Sequence, residues 1–265
     1  MLSGSKNSFR SLLPICPPDL PTSTLTQSRG YLFNTAIHVQ ESSEVLNIIL
    51  HTIYGLSCTQ YAPTFETLSA AVNQLPLYGV DPKTYIAIDT PLYTLLLSHA
   101  PLLPMDVYTL AAKHDLHHLA VSASPHLLSF SLPILTDEMA EEMGSKYLRK
   151  MFFLHMGRVD ALKRLLLQPP PLHAPIRGCT FADQRTLTRA WALASAYVAW
   201  DARPDISKSF LESALTPLAE HLTCELCKES LNERIRDLVV HWSIVKVPFS
   251  FLNIPTDLMS LQRTI

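Results

Sequence analysis

Glycine is scarce in this chain, with 7 residues in 265. That leaves little material for phosphate-cradling loops, and neither a G-x-G-x-x-G, a Walker A nor a G-x-S-x-G motif occurs. Charge is also thin: Asp, Glu, Lys and Arg make up 17% of residues, with a formal net charge of -2 and a pI near 6.6. A balance of that kind provides no broad electrostatic attraction for nucleic acid or an anionic membrane. No apolar run approaches the roughly eighteen residues that a membrane-spanning helix needs. The N-terminus does not pair a basic region with an apolar one and a cleavage site, so secretion is not expected. The 5 cysteines form an odd set in a long chain. They read as reduced thiols, which points to an intracellular protein, cytoplasmic or nuclear.

Apolar residues make up 48% of the chain, enough for a globular core in one large or two modest domains. The organising stretch is Ile37 to Val80. It reads as a short strand around Ala36 to Val39, a buried helix, a loop and a second amphipathic helix. Val45, Leu46, Ile49, Leu50 and Ile53 recur at helical spacing. Ser42 or Ser43 is placed to cap the helix, and Gly55 to stop it in a left-handed conformation. The second helix starts after Pro63 with Thr64 as cap and sets Phe65, Leu68, Val72 and Leu75 along one face. In the strand, His38 alternates with Ile37 and Val39 and is read as facing outward.

The order strand, Glu41-Ser42-Ser43, apolar helix, Ile53-Tyr54-Gly55, loop, Thr67-Leu68 and Tyr78-Gly79-Val80 resembles the second half of a BTB (POZ) domain of the fungal type. Upstream, Leu2 to Leu13 resembles the helix that follows the first hairpin of such domains. Downstream, Val107 to Leu116 resembles the helix that follows the domain. The β1–β2 hairpin itself would precede Leu2 and is not in the sequence. The resemblance implies a protein–protein interaction module that self-associates or serves as an adaptor to a cullin-type ubiquitin ligase. A family-type homodimer draws on the first strand, so the missing hairpin weighs against it. Nothing catalytic is required.

Beyond the loop Ile15 to Gly30, rich in Pro, Ser and Thr, the pattern is almost wholly helical. Asp81 to Ile88 reads as a turn and connector. Pro91 opens a helix that Pro101 and Pro104 end, and another begins near Met105 and runs to Pro125. Thr136 to Leu167 is the strongest isolated helix signal. Acidic residues lie at its start and Lys163 and Arg164 near its end, an asymmetry that suits the helix dipole. Its apolar stripe is Leu148, Met151, Phe152, His155, Val159, Leu162 and Leu166, with Gly144 and Gly157 as candidate breaks. After Pro169-Pro170-Pro171 come a helix over Phe181 to Trp200, one capped by Ser207 and kinked at Pro217, and a last stripe of Leu231, Ile235, Leu238, Val239 and Trp242. The expected organisation is a partial BTB/POZ-like domain over 1–100, a helical extension over 101–168, a helical subdomain over 169–247 and a tail over 248–265. The fold class is mainly α, with α+β character in the N-terminal third.

Cys224-Glu225-Leu226-Cys227 is the one metal-like motif. Thiolates spaced C-x-x-C can face one zinc ion, with His221, His173 or Cys179 to complete a tetrahedron. A second C-x-x-C or H-x-x-x-H pair is missing. The same two cysteines fall at i and i+3 of a helix, where they pack as small apolar residues. That reading is the expectation, so no residue is assigned as catalytic, cofactor-binding or metal-ligating. A metal-binding protein or enzyme built on Cys224 and Cys227 is the alternative. His114, His117 and His118 share a helix side but lack the Glu of H-E-x-x-H, and are read as the polar edge of a packing helix. Arg185, Arg189 and Arg203 with Trp191 and Trp200 read as solvated arginines beside a buried tryptophan pair, not as a nucleic-acid face. The expected partners are therefore proteins, with no nucleic acid, membrane or cofactor.

Overall fold

Local capping chemistry sets many of the helix ends in the computed structural model, which describes residues 39–245. Helix α1, Ser43–Tyr54, begins where the Ser42 hydroxyl accepts the Val45 N–H. It ends at Gly55, whose φ of 68° is open to a residue without a Cβ. Thr64 caps α2, Phe65–Gln74, in the same way by accepting from Thr67 N–H. The two helices pack together and bury Ile48, Ile49, Leu68 and Val72. Asp81 caps a single turn, α3, Pro82–Tyr85, inside the expected connector. Thr90 caps α4, Pro91–Ser98, and α5, Pro104–Lys113, follows with every residue from Val107 to Ala112 buried.

The helix expected from Met105 to Pro125 is two helices. Asp115 takes a φ of 52°, which breaks the run before α6, His117–Ala123. His114 therefore does not share a helix side with His117 and His118. Its Nε2 lies 2.9 Å from Asn73 Oδ1 instead, while the His117 and His118 rings meet edge to face.

Helix α7, Asp137–Leu166, carries a break at Gly144, at φ 69° and ψ 162°, whereas Gly157 stays helical. The chain separates there into two compact units. One comprises the described residues up to His126 with Thr136–Gly144; the other comprises Leu127–Leu135 and everything described from Ser145 onward. The second unit thus includes the long helix upstream of the proline run at which the sequence places a subdomain start. Within that helix Leu154, not Phe152, is buried.

The core of the second unit gathers α7 with α8, Phe181–Trp200, α9, Lys208–Leu215, and α10, Glu225–Ile244. It is built from Leu162, Trp191, Leu211, Leu231, Leu238 and Trp242, among others. Both buried indoles donate to backbone carbonyls, Trp191 to Leu166 at 3.0 Å and Trp242 to Ile206 at 2.8 Å, so neither buries an unpaired N–H. The expected tryptophan pair is not a pair, since Trp200 is exposed. Pro217 ends α9 at Leu215 and opens a short 3₁₀ turn, Thr216–His221, where a kink was expected. The only β pairing among the described residues is an isolated bridge between Ile176 and Cys179. The fold is mainly helical, as the sequence indicates. The expected helix over Leu2 to Leu13, and the expected strand except for Val39, lie outside the described residues; Val39 is irregular.

Candidate functional site

The segment between α7 and α8 is held to α10 by polar contacts. Ser230 donates to the Pro171 carbonyl at 2.7 Å, and Arg234 donates to the carbonyls of Gln168 and Leu165. From Ile176 the backbone turns back on itself, with Ile176 and Cys179 exchanging both N–H···O bonds at 3.0 and 3.1 Å. Gly178, at φ 94°, takes the positive-φ position of this turn. The turn delivers Cys179 to the buried side of the segment just before Thr180 and Asp183 form the capping box of α8.

On the facing element Cys224 is the N-cap residue of α10 and Cys227 lies in its first turn. Cys227 therefore points into the core, where it is buried, while Cys224 stays half-buried at the helix mouth. Cys179, Cys224, Cys227 and His173 meet there. The His173 Nε2 lies 3.3 Å from Cys227 Sγ, 3.4 Å from Cys224 Sγ and 3.5 Å from Cys179 Sγ. Cys179 Sγ and Cys227 Sγ are 3.6 Å apart. All four donor atoms fall within 4.8 Å of one another. Donors at about 2.3 Å (sulfur) and 2.0 Å (nitrogen) from a tetrahedral zinc ion would be separated by roughly 3.5 Å (sulfur to nitrogen) and 3.8 Å (sulfur to sulfur). The three His173–sulfur separations and the Cys179–Cys227 separation lie within about 0.2 Å of those values.

The histidine is oriented from behind. Its Nδ1 lies 2.7 Å from the Ala174 carbonyl oxygen, to which only an N–H can donate. That leaves the Nε2 lone pair directed at the sulfurs. Buried Gln184 of α8 accepts the His173 backbone N–H at 3.1 Å. The thiols differ sharply in acidity. Backbone N–H groups of Cys227 and Leu226 at the start of α10 help bring Cys224 down to about 7. Burial first, and then the neighbouring thiols, push Cys227 up to about 12. Burial also raises Cys179. Three crowded sulfurs resist a second negative charge until a cation joins them.

Of the donors that the sequence offers to complete the C-x-x-C pair, the structure brings in His173 and Cys179 together and leaves His221 exposed on its 3₁₀ turn. The signal for Cys179 lies in the sequence: a glycine immediately before a cysteine, at the tip of a proline-rich loop.

A second concavity in the same unit, of about 390 Å³, is lined by Phe130, Leu132, Met156 and Val159 with His155 and Arg203. His155 is buried with its Nε2 unpartnered. Burial holds its imidazole below the ordinary value, partly offset by a backbone bond at Leu127 and by Asp205.

No family model, no curated protein and no solved structure matches this chain. No helix among the described residues is long and apolar enough to cross a membrane.

Proposed function

We propose that the protein is a non-catalytic, protein-binding module that works through the helical surface of its second unit. The observation that carries this reading is the outward side of α8. Leu193, Tyr197 and Trp200 follow one another at i, i+4 and i+7 and are 75%, 74% and 93% exposed. The opposite side of the same helix is anchored in the core by Leu187, Trp191 and Val198. Large apolar side chains at that spacing make a ridge suited to a partner's groove, and Tyr and Trp are the residues on which interface energy concentrates.

The BTB-like resemblance of the first unit points the same way, toward self-association or adaptor service to a cullin-type ligase. The tightly paired α1 and α2 are consistent with it. The thiol–imidazole cluster supports a structural role over a catalytic one. Its four protein donors leave no coordination position for a substrate or an activated water.

The test is the double variant Tyr197→Glu, Trp200→Glu. Its circular dichroism and melting temperature should match wild type, because both side chains stand in water. Proximity labelling with each form should show a set of proteins lost from the variant, and light scattering should show whether any self-association is lost with them. Identical labelling and identical mass would remove α8 as the working face.

A further inference from the structure

We infer that His173, Cys179, Cys224 and Cys227 bind one zinc ion as a closed structural centre, and that this ion is the principal tether between the segment 171–180 and α10. Four observations converge on it. Four donor–donor distances, at 3.3 to 3.6 Å, are close to edges of a Cys₃His tetrahedron, and all four donor atoms lie within 4.8 Å of one another. Three soft thiolates and one imidazole favour zinc over hard cations such as magnesium or calcium. The histidine presents the correct nitrogen because its other one donates to the Ala174 carbonyl. The motif C-x-x-C sits at a helix start, with Cys224 as the N-cap residue of α10 and Cys227 in its first turn.

Competing accounts of the cluster explain less. Apolar packing would account for buried Cys179 and Cys227 but not for an imidazole aimed at three sulfurs. A disulfide would consume two of the thiols, needs a sulfur separation of about 2.05 Å, and would leave the third thiol and His173 without a purpose.

The segment itself has little else to hold it. From Pro171 to Thr180 every residue is exposed except half-buried His173 and buried Cys179. Its apolar side chains Leu172 and Ile176 face outward, so burial contributes little to its attachment. Ser230 supplies one hydrogen bond, and Gln184 meets His173 at its backbone N–H and at its ring Nδ1. Binding follows Zn²⁺ + 3 Cys–SH + His → [Zn(Cys–S)₃His]⁻ + 3 H⁺, with fewer protons released if a thiol is already ionised. Zinc occupancy and the order of this segment are therefore one equilibrium.

The experiment uses the full chain, purified under reducing conditions without chelator. Elemental analysis should find about one zinc per chain, as a single closed site requires. Cobalt exchange should give tetrahedral d–d bands with thiolate-to-cobalt charge transfer. Cys179→Ser and Cys227→Ser should lose both signals, whereas Cys58→Ala and His221→Ala should keep them. Should the cysteine variants fail to fold, hydrogen exchange on the wild type before and after zinc removal carries the decision. Protection should fall over 171–180 and the first turn of α10 while α1 and α2 are unchanged. Reduced protein without zinc or a cobalt spectrum, retention of zinc by Cys179→Ser, or unchanged exchange after chelation would each overturn the assignment.

Discussion

The sulfurs of Cys179 and Cys227 stand 3.6 Å apart across a sequence separation of 48 residues. That spacing is too wide for a covalent bond and close to one edge of a metal-centred tetrahedron. It joins a proline-rich connector, which has few means of ordering itself, to the first turn of α10, a 20-residue helix in the core of the second unit. Consequences for metal affinity, stability and pH dependence follow from that junction.

Gln184 supports the cluster from behind His173: its Oε1 accepts the His173 backbone N–H, and its Nε2 lies 3.4 Å from the ring's Nδ1. Gln184→Ala should therefore leave zinc stoichiometry at one but lower affinity by about tenfold, the low end of the effect expected when a group supporting a ligand is removed. Titration against a chromophoric chelator measures it. An unchanged affinity would show that the Nδ1 bond to the Ala174 carbonyl positions the imidazole by itself.

Gly178→Ala should be costly although an added Cβ would meet nothing within 4 Å. The penalty is conformational, because the φ of 94° suits glycine and strains alanine. The expected loss is about 1–2 kcal/mol, read as a lower melting temperature of the second unit together with weakened zinc binding.

Two leucines of α10 on either side of Cys227 offer a contrast. Leu231 is fully buried, and Leu231→Ala should cost roughly 2–5 kcal/mol. Leu226 is 42% exposed, so Leu226→Ala should fall within about 0.5 kcal/mol of wild type. Urea unfolding of both variants in saturating zinc separates core packing from metal linkage.

His155 makes stability depend on pH with a defined sign. Burial lowers its folded-state value below the ordinary 6.5, so the fold favours the neutral ring. That contribution is complete above the unfolded value and is lost as pH falls through and below it, with a slope approaching about 1.4 kcal/mol per pH unit. Comparing wild type with His155→Leu at matched zinc isolates the ring from the ligand thiols. Stability of the wild type should fall more steeply between neutral pH and about pH 5. Parallel curves would show that the ring is not buried neutral.

Helix starts at Ser42, Thr64 and Ser207 and the stop at Gly55 were legible in the sequence because each depends on a side chain within a few residues. The core faces of α2, α8 and α10 were legible for the same reason, since their period of 3.6 is written locally. The break at Asp115 was hidden. Nothing at His114-Asp115 resembles the glycine that usually marks a left-handed turn, and the one trace of it is a slight shift in the apolar pattern, a step of five from Ala111 to Leu116. In α7 the buried face runs through Tyr147, Met151, Leu154, His155 and Leu162; Leu154 lies three residues from Met151 on that face, whereas Phe152, two residues from Leu154, is turned away from it. The cluster was half visible. C-x-x-C announced two donors and left His221, His173 and Cys179 as candidates to complete the set; choosing among them needs the loop's return to α10 through Ser230, Arg234 and the Gly178 turn, and no spacing rule carries that information.

The interleaving of the two units bears on how the chain can be divided and in what order it is made. The chain leaves the first unit after His126, returns to it at Thr136 and leaves again after Gly144. No single cut therefore yields two whole units: one at 126 strands nine residues, Thr136–Gly144, of the first, and one at 144 strands nine residues, Leu127–Leu135, of the second. During synthesis, the first unit is incomplete until Gly144 has emerged, and by then a strip belonging to the second is already waiting for partners more than ten residues downstream.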